Sequence, residues 1–265
     1  MSMEKAAITR CEAVAFDLDG TIYYGNSLID GAKELVGFLQ SKNIRVFYFS
    51  NNSMRTRKDI YEKLSGMGLE LNSNEVYNSA YATAVYAKKK GIKKVCCVGS
   101  PGLLRELENS GVAVTEDETQ AEALIAGLDT HFDYEKLSKA LVVITRDVPF
   151  IACNLDRNYP VGNGKLLPGC GPIIAAIGYS LNKEPDFIVG KPNTYMLDLL
   201  SKEHKVAVHD ILVVGDTYDS DIAMANRAGC HSILISEEVG GYNDTVVANN
   251  PEDVLNILKR CFCEK

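Results

Sequence analysis

Ala13-Val14-Ala15-Phe16-Asp17-Leu18-Asp19-Gly20-Thr21 is the stretch on which the fold of this chain is decided. Four apolar residues in succession, without alternation, suit a strand buried on both faces, as in a parallel sheet. The run stops at Asp17. Residues two apart at a strand end face the same side, so Asp17 and Asp19 pair while Leu18 points away. In such a pair one carboxylate can attack phosphorus while the other handles a proton, which splits hydrolysis into two easier steps. Gly20 allows a sharp turn and a close approach of the backbone to a phosphate. Taken alone, the run reads equally well as an Asp-Gly turn with a capping Asp. It also resembles the start of a calcium loop. The calcium reading fails on the next residues, because Tyr23, Tyr24 and Gly25 are poor ligands and no Glu stands twelfth from Asp17.

Working outward, Gly31 to Lys42 carries Leu35, Val36, Phe38 and Leu39 at helical spacing, and Ile44 to Phe49 reads as a second buried strand ending at Ser50-Asn51-Asn52. A charged helix is expected from about Thr56 to Met67. The C-terminal third repeats the alternation, with strands at Phe187-Ile188-Val189, Ile211 to Val214 and Ser232 to Ile235. Helices Thr194 to Glu203 and Ser220 to Ala228 lie between them. Asn250-Pro251-Glu252-Asp253 looks like the cap and first turn of a last helix. This pattern predicts an α/β fold with a doubly wound, Rossmann-like parallel sheet. Residues 79–184 carry a further set of strands (Lys94 to Val98, Ala123 to Leu128, Pro149 to Cys153) and read as an inserted α/β domain. The core is then 1–78 together with 185–265.

Bulk composition narrows the partners. The chain has 265 residues and a formal net charge of -7, which disfavours nucleic acid, since backbone binding needs a clustered basic surface. No stretch approaches the ~20 apolar residues of a membrane span, and Met1 to Arg10 has no signal-type apolar core. The eight cysteines form no Cys-x-x-Cys pair and fit reduced, buried thiols in a cytoplasmic protein.

Three further polar clusters follow expected strands, where ligands bind in open α/β sheets. Ser50-Asn51-Asn52 offers a hydroxyl and amides suited to a phosphate oxygen, although a plain loop and helix cap would look the same. Lys191, held extended by Pro192, can offset charge on a carboxylate and a phosphoryl group. Any single lysine is more often a solvated surface residue. Asp216, Asp219 and Asp221 follow a buried strand and repel one another unless a cation is present. A hard ion such as Mg²⁺ suits them, with Asp219 read as a helix cap.

Together the clusters resemble the four motifs of the haloacid dehalogenase superfamily of phosphohydrolases, carried here by Asp17-Leu18-Asp19-Gly20-Thr21, Ser50, Lys191, and Gly215-Asp216 with Asp221. The insert resembles the type IIA cap of the NagD and 4-nitrophenyl phosphatase branch. The resemblance implies Asp17 as nucleophile and metal ligand, and Asp19 as general acid/base that gives its backbone carbonyl to the metal. It implies Ser50 and Asn51 at the phosphoryl group, with Asn52 and Gly20 alongside, and Lys191 as stabiliser. Asp216 would hold Mg²⁺ and Asp221 would act through the metal's outer shell or a water. Within the insert, Asn154, Asp156 and Arg157 resemble leaving-group contacts, with a polar turn as the plainer reading. Gly164 to Gly171 and the helix after it would return the chain to the core.

The implied activity is Mg²⁺-dependent hydrolysis of a small phosphorylated metabolite, with a homodimer through the cap as a further expectation. Competing readings are phosphoryl transfer to a second sugar hydroxyl, a phosphoacceptor signalling domain, and a phosphosugar-binding protein without turnover. The signalling reading places its acid pair before the phosphorylated Asp, whereas Asp19 here follows Asp17.

Overall fold

The computed structural model describes Ile8 and residues 11–161, 165–237 and 245–263. The chain separates into two compact units. One comprises Met1–Ser50, Tyr61–Tyr77 and Lys191–Lys265, and the other Asn51–Ile60 and Asn78–Gly190.

The first unit is built on a six-stranded sheet. Its strands are β1 (Ala13–Asp17), β4 (Arg45–Ser50), β5 (Val76–Asn78), β13 (Ile211–Gly215), β14 (His231–Ile235) and β15 (Val246–Ala248), in the order β15-β14-β13-β1-β4-β5. Pairings among β1, β4, β13, β14 and β15 are all parallel. Ala13, Val14, Ala15 and Phe16 are fully buried, as their unbroken apolarity predicts. From β1 the chain goes to β4 and β5 on one side, while β13, β14 and β15 lie on the other. The strand order therefore reverses beside β1, and such a switch point opens a crevice at the carboxyl ends. A two-stranded hairpin, β2 (Tyr23–Tyr24) with β3 (Ser27–Leu28), follows β1 directly.

The helices of this unit follow their apolar stripes. In α1 (Ala32–Ser41), Ala32, Leu35, Val36 and Leu39 are buried at i, i+3, i+4 and i+7. The last helix, α9 (Pro251–Cys263), begins as expected. Pro251 occupies its first turn, and the Asn250 side chain accepts from the Asp253 amide at 2.9 Å.

The second unit has its own five-stranded parallel sheet: β6 (Lys94–Val98), β7 (Ala113–Val114), β8 (Ala123–Ala126), β9 (Phe150–Ala152) and β12 (Phe187–Ile188), ordered β12-β9-β8-β6-β7. Leu124, Ala126, Phe150 and Ala152 pack against Ala140, Val143 and Ile144 of α5 (Tyr134–Ile144), and against Ile173, Ile174 and Ile177 of α6 (Cys170–Tyr179). An antiparallel hairpin of β10 (Asn158–Pro160) and β11 (Leu166–Pro168) precedes α6. Gly164, the start of the expected return segment, lies outside the described residues. The Phe187–Ile188 strand is a correction: the sequence pattern groups it with the C-terminal strands, yet it pairs with β9. A two-residue apolar strand joins whichever sheet edge has open hydrogen-bonding groups, and periodicity cannot say which.

Phe150 is fully buried at the centre of the second unit's core. Phe150→Ala is expected to cost about 3–5 kcal/mol of stability in urea unfolding. A loss below ~1 kcal/mol would contradict this packing.

Candidate active site

The carboxyl ends of three neighbouring strands carry the site's first residues. Asp17 is the last residue of β1 and stands level with Phe49 of β4, so Ser50 is one residue further along. On the other side Phe16 is level with Val214, which places Asp216 just beyond the end of β13. Both the Asp17 and Ser50 side chains are thus delivered by strands whose apolar residues are locked in the core.

Lys191 ties these ends together. It is only 4% exposed, and its Nζ donates to Asp17 Oδ1 and, at 2.6 Å, to Asp221 Oδ1. Burial opposes the charge on Lys191, but Asp17 and Asp221 outweigh it and hold the ammonium above the ordinary lysine range. The Lys191–Pro192 peptide bond is cis. Asp221 is buried too; its second oxygen accepts from the Thr217 amide at 3.1 Å. Gly215 permits this, because a Cβ there would meet the Asp221 carboxyl at 2.4 Å.

Asp17, Asp216 and Asp221 each bring one oxygen within 4.8 Å of the other two. Burial, only partly countered by Lys191, pushes Asp17 well above the usual carboxylate range, and Asp221 and Asp216 push it further. Asp216 is pushed up to about 6 by burial and by Asp221, against the pull of Lys191 and the Thr217 hydroxyl. Three carboxylates against one ammonium leave excess negative charge in a poorly solvated place. Hard oxygen donors of this kind fit a divalent ion such as Mg²⁺. Gly20 belongs to the same construction: with φ +90°, it leaves open the space where a Cβ would stand 2.1 Å from Asp216 Oδ2.

Asp19 is not in that carboxylate cluster. Its side chain is exposed, and Asp19 Oδ2 accepts from the Tyr23 hydroxyl at 3.0 Å. Asp219 is exposed as well and does not cap a helix. The helical turn begins after Thr217, whose carbonyl accepts from the Ser220 and Asp221 amides. Asp221, not Asp219, is the acid this turn directs inward.

The remaining candidates belong to the second unit and form a hydrogen-bonded group of their own. Asn51 Nδ2 donates to Asp156 Oδ1 at 2.9 Å. The Asn51 carbonyl accepts from the Ser79 hydroxyl at 2.7 Å and from Asn154 Nδ2 at 2.6 Å. Asn154 Oδ1 in turn accepts from the Asp156 amide. Asn52 is engaged differently: its side-chain oxygen accepts from the Met54 and Arg55 amides, an Asx turn that opens the next segment. Gly169 and Gly171 let the loop lie flat, since Cβ atoms there would meet the Asp156 and Leu155 carbonyl oxygens at 2.2 and 2.6 Å. Arg157 is exposed. Beside this loop, burial pushes the Cys153 thiol up to about 12, which leaves it a poor nucleophile.

Sequence reasoning did not find Tyr23 or the spacer role of Gly215. Tyr23 lies four residues beyond Asp19, a spacing with no meaning until the intervening turn is known.

Residues 14–113 match the model of the haloacid dehalogenase-like hydrolases, and residues 188–261 match a second model of the same superfamily. The chain belongs to the haloacid dehalogenase-like hydrolase family. It is similar to an acid sugar phosphatase of Staphylococcus epidermidis, with 35% identity over 88% of this chain and 89% of that protein. It is also similar to the chloroplastic phosphoglycolate phosphatase 1A of Arabidopsis thaliana, at 30% identity over 94% of this chain and 74% of that protein. Among solved structures, the 4-nitrophenylphosphatase of Thermotoga maritima superposes with a TM-score of 0.87 at 29% identity, covering 94% and 98% of the two chains. As a member of this family the chain is an enzyme of the phosphatase class. Among its described residues no helix is long and apolar enough to cross a membrane.

A group protonated more readily in the folded than in the unfolded chain stabilises the fold at low pH, and that stabilisation is lost as pH rises through its folded value. Asp216 should therefore weaken the metal-free protein progressively between about pH 4 and 6. Asp216→Asn is expected to raise the Tm of EDTA-treated protein at pH 7.5 by about 3–8 °C, with the gain shrinking toward pH 4. A gain independent of pH would refute the burial of this charge.

Proposed function

We propose that this chain hydrolyses small phosphate monoesters with Mg²⁺, through an aspartyl-phosphate formed on Asp17. The observation that carries this reading is the junction of Asp17, Lys191, Asp216 and Asp221 at the switch point of the sheet. Asp17 and Asp216 are the groups assigned to the ion, with the Asp19 backbone carbonyl as a further oxygen. Both Asp221 oxygens already accept from Lys191 and Thr217, which suits a role behind the ion. When bound, Mg²⁺ supplies positive charge against the carboxylates and the phosphate.

The chain's own residues divide the remaining work. Asp17 attacks phosphorus as the ester oxygen leaves, and Asp19 gives that oxygen its proton. Asp19 then takes a proton from the water that opens the acyl phosphate. Lys191 favours the ionised form of Asp17 and offsets charge on the phosphoryl oxygens, to which Ser50 and Asn51 are also assigned. Asn154 and Asp156 are assigned to the leaving group. The names of the relatives, for sugar phosphates, phosphoglycolate and 4-nitrophenyl phosphate, support a small metabolite as substrate.

Asp17→Asn is expected to abolish phosphate release while leaving the circular dichroism unchanged; retained turnover would remove Asp17 as nucleophile. Asp19→Ala should slow an alkyl phosphate by about 10²–10⁴-fold. EDTA should inactivate the wild-type enzyme and Mg²⁺ restore it, so indifference to chelation would exclude the metal.

A further inference from the structure

The loop after β1 is wound around one carbonyl. Leu18 O accepts from the amides of Thr21, Ile22 and Tyr23 at 3.3, 2.9 and 3.1 Å, and the Gly20 amide returns to Tyr23 O at 3.0 Å. That winding brings Tyr23 alongside Asp19 and sets the 3.0 Å bond from the phenol hydroxyl to Asp19 Oδ2. The Tyr23 ring is itself fixed. It is 4% exposed and opens the β2–β3 hairpin, and Lys63 Nζ of α2 (Arg57–Gly66) stands 3.5 Å from its centroid. A cation over the ring face is attracted to the π system and draws electron density from it, which makes the hydroxyl a stronger donor. An exposed carboxylate on a free side chain would sample several rotamers. Here one of its oxygens is held by the hydroxyl of a buried ring.

We propose that Tyr23 is a positioning residue for proton transfer. It holds Asp19 by Oδ2 and so presents Oδ1 to the ester oxygen, with Lys63 holding and polarising the Tyr23 ring. This rests on Asp19 as the general acid. In the step concerned, an Asp17 oxygen forms a bond to phosphorus as the bond to the leaving oxygen breaks. That bond's electron pair stays on the leaving oxygen, the Asp19 proton goes to it, and Asp19 regains a proton from the water that later opens the acyl phosphate. Beyond the ester and that water no reactant is required. A leaving group that is stable as an anion needs no proton, whereas an alkoxide does, so the effect of Tyr23 must depend on the ester used. Prealignment of an acid is worth a large part of its rate contribution.

The test is kcat/KM for wild type, Tyr23→Phe, Lys63→Met and Asp19→Ala on 4-nitrophenyl phosphate, phenyl phosphate and ethyl phosphate, with Mg²⁺ present. Phe keeps the ring's volume, and the fold is checked by thermal melting. Tyr23→Phe is expected to lower kcat/KM on ethyl phosphate by about tenfold and on 4-nitrophenyl phosphate by less than about threefold. That steepens the dependence on leaving-group pKa, and Lys63→Met should change it in the same direction by less. Added to Asp19→Ala, the Phe substitution should do nothing more. An equal fall on all three esters, or a full further fall in the Asp19→Ala background, overturns the role of Tyr23. If Asp19→Ala itself shows no leaving-group dependence, the acid assignment of Asp19 has failed, which is a separate result.

Discussion

Lys191 is buried, and an ammonium out of water is tolerable only while carboxylates surround it. Asp17 supplies that environment from the end of β1 and Asp221 from the helical turn that follows β13, so one charge cluster ties Lys191 to two neighbouring strands of the sheet. Removing either acid would leave the lysine partly uncompensated, and removing the lysine would leave three carboxylates facing one another. Each partner therefore constrains the others more tightly than apolar packing alone would. Asp221 is fixed further by the Thr217 amide and by the missing side chain of Gly215. A site that must aim a nucleophile along one line benefits from such redundancy.

The same cluster explains why the charges do not cancel. Burial and mutual repulsion raise Asp17 and Asp216, while Lys191 pulls both back. An attacking carboxylate has to be ionised, yet a fully neutralised one would be a weak nucleophile. With Asp17 as the nucleophile proposed above, Lys191 favours its ionised form through a direct hydrogen bond. The surplus negative charge of the three acids would repel a phosphate unless a cation is added.

Much of this was legible in the residues, for definable reasons. The β1 strand and the acid at its end are a local pattern, since continuous apolarity and an abrupt stop are visible without knowing the partners. The cap of α9 is equally local, because Asn250 and Pro251 act on amides within three residues. What could not be read depends on distant partners. Phe187–Ile188 joins β9 because that edge is open, and nothing within the dipeptide encodes it. Asp219 and Asp221 are two carboxylates on one turn. Only the path of the chain after Gly215 decides that Asp221 turns inward and Asp219 outward. Tyr23 reads as one more aromatic of a hairpin until the winding around Leu18 O sets it against Asp19.

The polar residues singled out in the sequence fall into two sets with separate support. Asp17, Asp19, Lys191, Asp216 and Asp221 belong to the first unit and are held by strand ends, an ion cluster and a wound loop. Asn51, Asn154 and Asp156 belong to the second and hold one another through side-chain and backbone hydrogen bonds, over glycines that keep the loop flat. The bonds named for each set run within its own unit. Attack on phosphorus asks for the same groups whatever ester is broken, whereas recognition of the departing alcohol does not. With the first set assigned to phosphorus and the second to the leaving group, as proposed above, relatives named for sugar phosphates, phosphoglycolate and 4-nitrophenyl phosphate are what such a division would produce.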